Sequence, residues 1–199
     1  MCGFVGICNL KKDISKDESI IKRMNLEIQK RGPDEEGYFI DKNALLAHRR
    51  LAIIDKVNGK QPMQIKKNDN TYTIVYNGQI YNKDEIKKDL TDLGYKFIGY
   101  SDTEVLLTAF IEYGENVLKK INGIFSFAIW DNKKQELFLA RDQFGIKPLY
   151  YAAVNDELIF ASEIKAILKH PNVNAKIDKQ GIAELFGLRT LPHTWSRSL

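Results

Sequence analysis

Cysteine is almost absent from this chain. Only Cys2 and Cys8 occur among its 199 residues, so a small disulfide-stapled scaffold is excluded. Long apolar runs are missing too. No stretch approaches the roughly 18 residues of a membrane span, and the N-terminus shows no basic segment followed by a long apolar one. The expectation is a soluble, cytoplasmic protein with no membrane partner. Nor does one sign of charge dominate, since 30 Lys+Arg against 26 Asp+Glu leave +4. Bases alternate with acids, as in Lys83-Asp84-Glu85-Ile86-Lys87-Lys88-Asp89. That describes a solvated helix face rather than a nucleic-acid footprint. Repeats and low-complexity tracts are lacking, and histidine is scarce, with only His48, His170 and His193. What is present is an ordinary globular composition, 44% apolar and 28% charged, which excludes intrinsic disorder. The length fits one large domain, or a domain and a stub.

Runs rich in β-branched and aromatic residues predict strands at Gly3–Cys8, Gly37–Ile40, Ala44–Ala47, Tyr72–Tyr76, Gly123–Trp130, Glu136–Ala140, Leu149–Ala153 and Glu157–Ala161. The stretch Ile124–Trp130 is apolar almost throughout, the pattern of a strand buried on both faces. Polar Asp131–Gln135 and the pair Asn155-Asp156 supply hairpin turns, so the sheets are antiparallel. Helical runs interrupt the strands. Ser19–Lys30 sets Ile20, Ile21, Met24 and Ile28 on one stripe. Asn82–Leu93 opens with a capping-box pair, Asn82 and Glu85, and stops at Gly94. Thr103–Tyr113 has Ser101 and Glu104 in the same positions, and Asp178–Phe186 is a final short helix. Strand-rich sheets with segregated helices make the chain α+β rather than doubly wound α/β.

The chain begins Met1-Cys2-Gly3. Cysteine is small enough for the initiator methionine to be removed, which would leave a thiol and a free α-amine on one residue. An α-amine with a pKa of roughly 7.7–8.0 can act as base toward that thiol near neutrality. No histidine is needed. The plainer account of Cys2 is a small residue leading into a strand. Cys8, inside the same run, reads as a buried packing thiol.

Four further segments combine glycine, turn residues and polar groups: Arg31-Gly32-Pro33-Asp34-Glu35-Glu36-Gly37, His48-Arg49-Arg50-Leu51-Ala52-Ile53-Ile54-Asp55, Tyr76-Asn77-Gly78-Gln79-Ile80-Tyr81-Asn82 and Ser101-Asp102-Thr103-Glu104. With the Cys2-Gly3 start, they resemble the class II glutamine amidotransferases, which have the N-terminal-nucleophile hydrolase fold. Among these the chain looks most like the glutaminase domain of glutamine-hydrolysing asparagine synthetases. The stretch from Arg141 to Tyr151 and the run Ala161-Ser162-Glu163-Ile164-Lys165 are also typical of that branch. The resemblance covers residues 2 to about 187 in order.

The resemblance implies a four-layer αββα sandwich and the hydrolysis of glutamine to glutamate and ammonia through a Cys2 thioester. By it, Asn77 and the backbone of Gly78 form the oxyanion hole. Arg50 grips the substrate carboxylate, and Asp102 pairs with the α-ammonium. The backbone of Leu51, Ala52, Ile53 and Ile54 lines the site. Gln79 stands where relatives often have Glu, which removes a charge from ammonium binding. Arg31–Gly37 matches a mobile cover over the bound glutamine, with Lys30 where relatives usually have histidine. Arg49 reads as a surface charge. The stretch Arg141–Tyr151, and with it Ser162, Glu163 and Lys165, reads as a structural or domain-contact element.

The same resemblance places a synthetase domain, with its ATP and Mg²⁺, after residue 187, and this sequence shows no P-loop or Ser-Gly-Gly run. No cofactor is expected in this chain. The stretch 188–199 departs from the family as a truncated linker or aberrant tail. Relatives are often dimers, so a homodimer is one expectation. Two other readings stay open: a glutaminase domain of the sugar-phosphate or phosphoribosyl type, and a non-catalytic module that binds glutamine or a partner.

Overall fold

Alternation along β1 (Gly3–Cys8) decides the layering, because successive strand side chains point to opposite faces. Val5 and Ile7 join Ile21 and Met24 of the first helix, and Ile28 just after it, in one buried cluster. Phe4 and Cys8 join Val75, Ala128 and Trp130 in another. A computed structural model of the chain describes residues 1–53, 55–176, 181, 182 and 186.

One sheet consists of β2 (Glu35–Ile40), β3 (Ala44–Arg50), β1, β9 (Glu157–Ala161) and β8 (Tyr150–Val154), in that spatial order. The other orders β4 (Met63–Lys67), β5 (Asn70–Ile80), β6 (Gly123–Asp131) and β7 (Glu136–Arg141) consecutively. All neighbouring strands pair antiparallel. Helices α1 (Glu18–Glu27) and α4 (Ile164–Ile167) pack on the first sheet. Helices α2 (Lys83–Asp92) and α3 (Asp102–Tyr113) pack on the second through Ile86, Leu90, Val105 and Leu106. The third buried cluster fills the space between the sheets. The result is the αββα sandwich, with one apolar cluster at each of its three interfaces.

Local chemistry explains the turns. Asn68-Asp69 and Asn155-Asp156 both have positive φ at the two central positions, the geometry of two-residue hairpins that suits Asn and Asp. The Asp131 carboxylate accepts from the Lys133 and Lys134 backbone N–H groups and so closes the β6–β7 turn. Gly6 is required by packing, because a Cβ there would come within 2.0 Å of the Phe160 ring.

Two expectations need correction. Asn82 does not cap α2. Its side chain instead donates to the Lys120 carbonyl and accepts from Asn122 N–H, tying the helix start to the lead-in of β6. Ser101 does cap α3, accepting from Glu104 N–H at 3.3 Å. Glu104 turns its carboxylate to the Ile98 and Gly99 N–H groups rather than back to the cap. The helix expected at Asp178–Phe186 falls for the most part outside the described residues, as does the 188–199 stretch. Strand β4 and the one-turn α4 had no counterpart in the sequence reading.

Candidate active site

Three strands deliver polar groups to one end of the sandwich. Gly3 of β1 lies opposite Arg49 of β3, so Cys2 and Arg50 leave their strands side by side. The Cys2 thiol donates to the Leu51 carbonyl at 3.7 Å. Met1 precedes it in the structure, 61% exposed, touched at its sulfur by the Lys147 ammonium at 3.6 Å. Removal of Met1 therefore takes no side chain from the core.

Arg31 lies across the backbone of Cys2. Its Nε donates to the Cys2 carbonyl at 2.9 Å and its Nη1 to Glu163 at 3.2 Å. A Cβ on Gly3 would meet the Arg31 side chain at 2.8 Å, so glycine after Cys2 leaves room for this arginine. Glu163 also pairs with Lys165. Ser162 exchanges hydrogen bonds with the backbone of Phe4. These contacts tie Ser162, Glu163 and Lys165 to the Cys2 end of β1. Beside them a cavity of about 360 Å³ opens between Arg31, Pro148, Tyr150 and Lys165, away from Arg50, Asn77 and Asp102.

The two arginines of β3 part company by strand alternation. Arg50 is 4% exposed. Its guanidinium donates to the Glu35 carboxylate at 2.6 Å and to the Lys56 and Asp55 carbonyls at 3.1 and 2.6 Å. Arg49, expected as a surface charge, is also buried. It turns to the α1 side, donating to the Asn25 carbonyl and pairing with Glu36 at 2.6 Å. The segment Arg31–Gly37 leads into β2 and supplies its first three residues, pinned to β3. Asp34 N–H donates to the Arg50 carbonyl, and the Asp34 carboxylate accepts from Ala52 N–H at 2.8 Å. Ile53 N–H donates to the Leu51 carbonyl, and its side chain is exposed. Ile54 lies outside the described residues.

Strand β5 outruns its neighbour β4, whose pairing stops at Met63 opposite Ile74. In an antiparallel strand every second residue turns its N–H and C=O to the same side. Tyr76, Gly78 and Ile80 face the side that β4 has vacated. Side chains take two of these sites. Gln61 accepts from Tyr76 N–H at 2.6 Å, and Asp102 accepts from Ile80 N–H at 2.9 Å. The Gly78 N–H falls between them on the same open edge. Glycine at 78 is imposed from the other side, because a Cβ would come within 2.5 Å of the Ile124 carbonyl. Asn77 points the opposite way from Tyr76, into the inter-sheet layer shared by Val75. It is 3% exposed, and its Nδ2 is buried with no hydrogen-bond partner. Gln79, two residues on, is exposed.

Asp102 opens α3 and is 7% exposed. Besides Ile80 it accepts from the Tyr76 hydroxyl at 3.4 Å. Burial, then the Asp102 carboxylate, with a smaller contribution from the Cys2 sulfur, pushes the Tyr76 phenol well above its usual range, so Tyr76 stays a donor. The loop after Arg50 is built on Asp55. This residue has positive φ, and its carboxylate accepts from Tyr100 and Asn58 N–H groups. Those donors, Tyr100 first, hold its pKa below the ordinary carboxylate value.

Cys2, Arg50, Leu51, Asn77, Gly78 and Asp102 are thus gathered at one end, while the side chains of Gln79 and Ile53 stand outside. Sequence reasoning gave no role to Glu35, Asp55 or Gln61, and it placed Arg31 only in a cover loop. Each acts through contacts between segments far apart in the chain. Among the described residues no three His, Cys, Asp or Glu side chains cluster to hold a metal ion, and no helix is long and apolar enough to cross a membrane.

This layered fold, with a cysteine at the head of β1, has known counterparts. The chain matches the family model of the glutamine amidotransferase domain over residues 1–198, and it belongs to that family. Within it, the chain is 43% identical over 188 residues to asparagine synthetase [glutamine-hydrolyzing] 3 of Bacillus subtilis (strain 168), covering 94% of this chain and 31% of that protein. To asparagine synthetase B [glutamine-hydrolyzing] of Escherichia coli (strain K12) it is 34% identical, over 84% of this chain and 30% of the relative. The chain thus spans about a third of the length of these relatives. Among solved structures, the glutamine phosphoribosylpyrophosphate amidotransferase from B. subtilis superposes with a TM-score of 0.70 at 23% identity, over 83% of this chain and 43% of that one. That likeness shows the fold, the N-terminal-nucleophile hydrolase sandwich.

Proposed function

We propose that this domain hydrolyses glutamine to glutamate and ammonia at Cys2. The observation that carries the reading is Asn77 Nδ2, a buried amide donor with no partner at the Cys2 end of the molecule. An unpaired buried donor costs stability, and stabilising a transient oxyanion supplies a use for it. Once Met1 is removed, the Cys2 α-amine takes the Sγ proton and the sulfur attacks the carboxamide carbon. Asn77 Nδ2 and Gly78 N–H stabilise the negative oxygen. The C–N bond then breaks, the proton passes from the amine to departing ammonia, and a thioester remains. Water adds to the thioester with the amine again as base, releasing glutamate and restoring the thiol. Arg50, held in place by Glu35 and the 55–56 backbone, binds the α-carboxylate. Asp102 binds the α-ammonium without help from Gln79, whose side chain stands outside the site. The backbone of residues 51–53 flanks the substrate.

The relatives' names point to asparagine synthesis as the use of the ammonia, in an ATP- and Mg²⁺-dependent portion that this chain does not match. That portion docks on the 144–151 surface. There Phe144 is 88% exposed on a loop clamped by the buried Asp142 carboxylate, which accepts from Phe125, Ile146 and Lys147 N–H groups. A rigid loop that displays a large aromatic side chain is suited to an interface. Glutamate release is the test. Wild type is expected to turn over glutamine, and Cys2→Ala is expected to lose at least roughly 1,000-fold. Equal rates would refute Cys2 as nucleophile.

A further inference from the structure

We propose that His48 is a positioning residue, whose hydrogen bond to the Tyr76 carbonyl fixes the peptide that carries Asn77. The proposal rests on the glutaminase reading. His48 lies on the inner face of β3, in line with Ala44 and Leu46, and is fully buried. Its Nε2 is 3.0 Å from the Tyr76 carbonyl on the opposite sheet. A carbonyl only accepts, so Nε2 carries the hydrogen and Nδ1 is bare. Nδ1 has no partner. Burial holds the imidazole pKa down at about 4, so the ring is neutral and serves as a fixed donor rather than a proton carrier.

An apolar side chain would suit this layer better, since a buried nitrogen without a partner costs stability. What histidine adds is one directed bond, made where backbone support is otherwise lacking. The Tyr76 carbonyl lies on the edge that β4 has vacated, and its N–H is held only by the Gln61 side chain. His48 and Gln61 together take the place of a missing strand at the residue just before Asn77. His48 also stands opposite Phe4 and two residues before Arg50, so its one bond joins the strand that carries the oxyanion donor to the strand that carries the carboxylate-binding arginine, which is itself paired with β1 behind the nucleophile. A displacement near 1 Å of a catalytic group can cost roughly 100-fold.

Two amide substitutions separate position from polarity. The Gln amide nitrogen superposes on His Nε2 and reaches the carbonyl, whereas the Asn nitrogen superposes on Nδ1 and does not. With full-length chain and glutamine as substrate, His48→Gln is expected to keep kcat within about 3-fold. His48→Asn is expected to lose kcat roughly 10- to 100-fold with KM for glutamine within about 3-fold. The rate of Cys2 alkylation by iodoacetamide, which needs no oxyanion hole, is expected to match in both. If His48→Asn does not fold, His48→Met supplies similar volume without the donor. Equal kcat in the Gln and donor-less variants, or a loss confined to KM, overturns the proposal. A wild type no faster than Cys2→Ala overturns the glutaminase reading itself, and with it this role for His48.

Discussion

The two cysteines sit just before and at the end of the same strand and have opposite environments. Cys8 closes β1 among Ala44, Val75, Ala128 and Trp130, and burial pushes its thiol up to about 11. Cys2, just ahead of the strand, meets a carbonyl, a guanidinium at its own backbone and, close by, the Tyr76–Asp102 pair. The layer between the sheets changes along with them. It carries His48, Asn77 and Ser126 toward the Cys2 end, all buried, each with a side-chain atom that lacks a partner, whereas toward the Cys8 end Trp130 Nε1 is the one unpartnered atom in a layer of otherwise mostly apolar side chains. A sandwich optimised for stability alone would continue its apolar packing to both ends. Among the described residues, three of the four unpartnered side-chain atoms of this layer lie toward the end where the chemistry is proposed.

Asn77→Ala puts that contrast to its largest test. Its kcat for glutamate release is expected to fall roughly 100- to 1,000-fold, while urea unfolding shows stability unchanged or higher by up to about 1 kcal/mol, because an unpaired buried amide is removed. A large loss of stability would place Asn77 in the ordinary core.

Acid titration offers a second, smaller contrast. The His48 pKa is about 4 in the fold against the usual 6.5. Between these values the unfolded chain binds the extra proton, so stability falls as pH drops from about 6.5 to about 4, by roughly 3 kcal/mol in all. His170, also lowered by burial, contributes in the same direction. Urea midpoints measured across this range are expected to flatten in His48→Gln by more than in His170→Gln. Asp55 and Asp142, both with lowered values, add losses only once the pH falls toward and below the ordinary carboxylate value.

Cys8→Ala is expected to leave kcat unchanged and to cost about 1 kcal/mol of stability, through the small cavity left beside Trp130. At the small end of the scale, Phe144→Ser is expected to shift the unfolding free energy by less than about 0.5 kcal/mol and to leave glutamate release intact. A larger change would mean that Phe144 belongs to the fold and not to an interface.

How much of this could be read from sequence depended on whether the signal was local. The bounds of β1 and β9 and the buried β6 followed from apolar runs, and the Ser101 cap from its spacing. Strand β4 was invisible, since it is an edge strand whose apolar content is Met63 and Ile65 between Gln and Lys residues. Arg49 was misplaced because it was judged by a family-variable position, with β3 ended at Ala47 instead of followed through. Continuing its alternation to Arg50 would have sent the two arginines to opposite faces. Cys2, Arg50, Asn77, Gly78 and Asp102 were named by family resemblance, and the fold gathers them at one end. Their supports, Arg31, Glu35, Gln61 and His48, work between segments far apart in the chain, where no local pattern records the contact. Asn82 followed a good local pattern and lost to a tertiary one, spending its amide on the 120–122 backbone.

The most direct measurement is the intact mass of chain quenched with acid during turnover of glutamine. The expected species is a chain lacking Met1 that carries one glutamyl group, mapped to Cys2 and absent from Cys2→Ala. A chain that retains Met1 and turns over glutamine, or an adduct that maps elsewhere, would contradict a self-activating cysteine at this position.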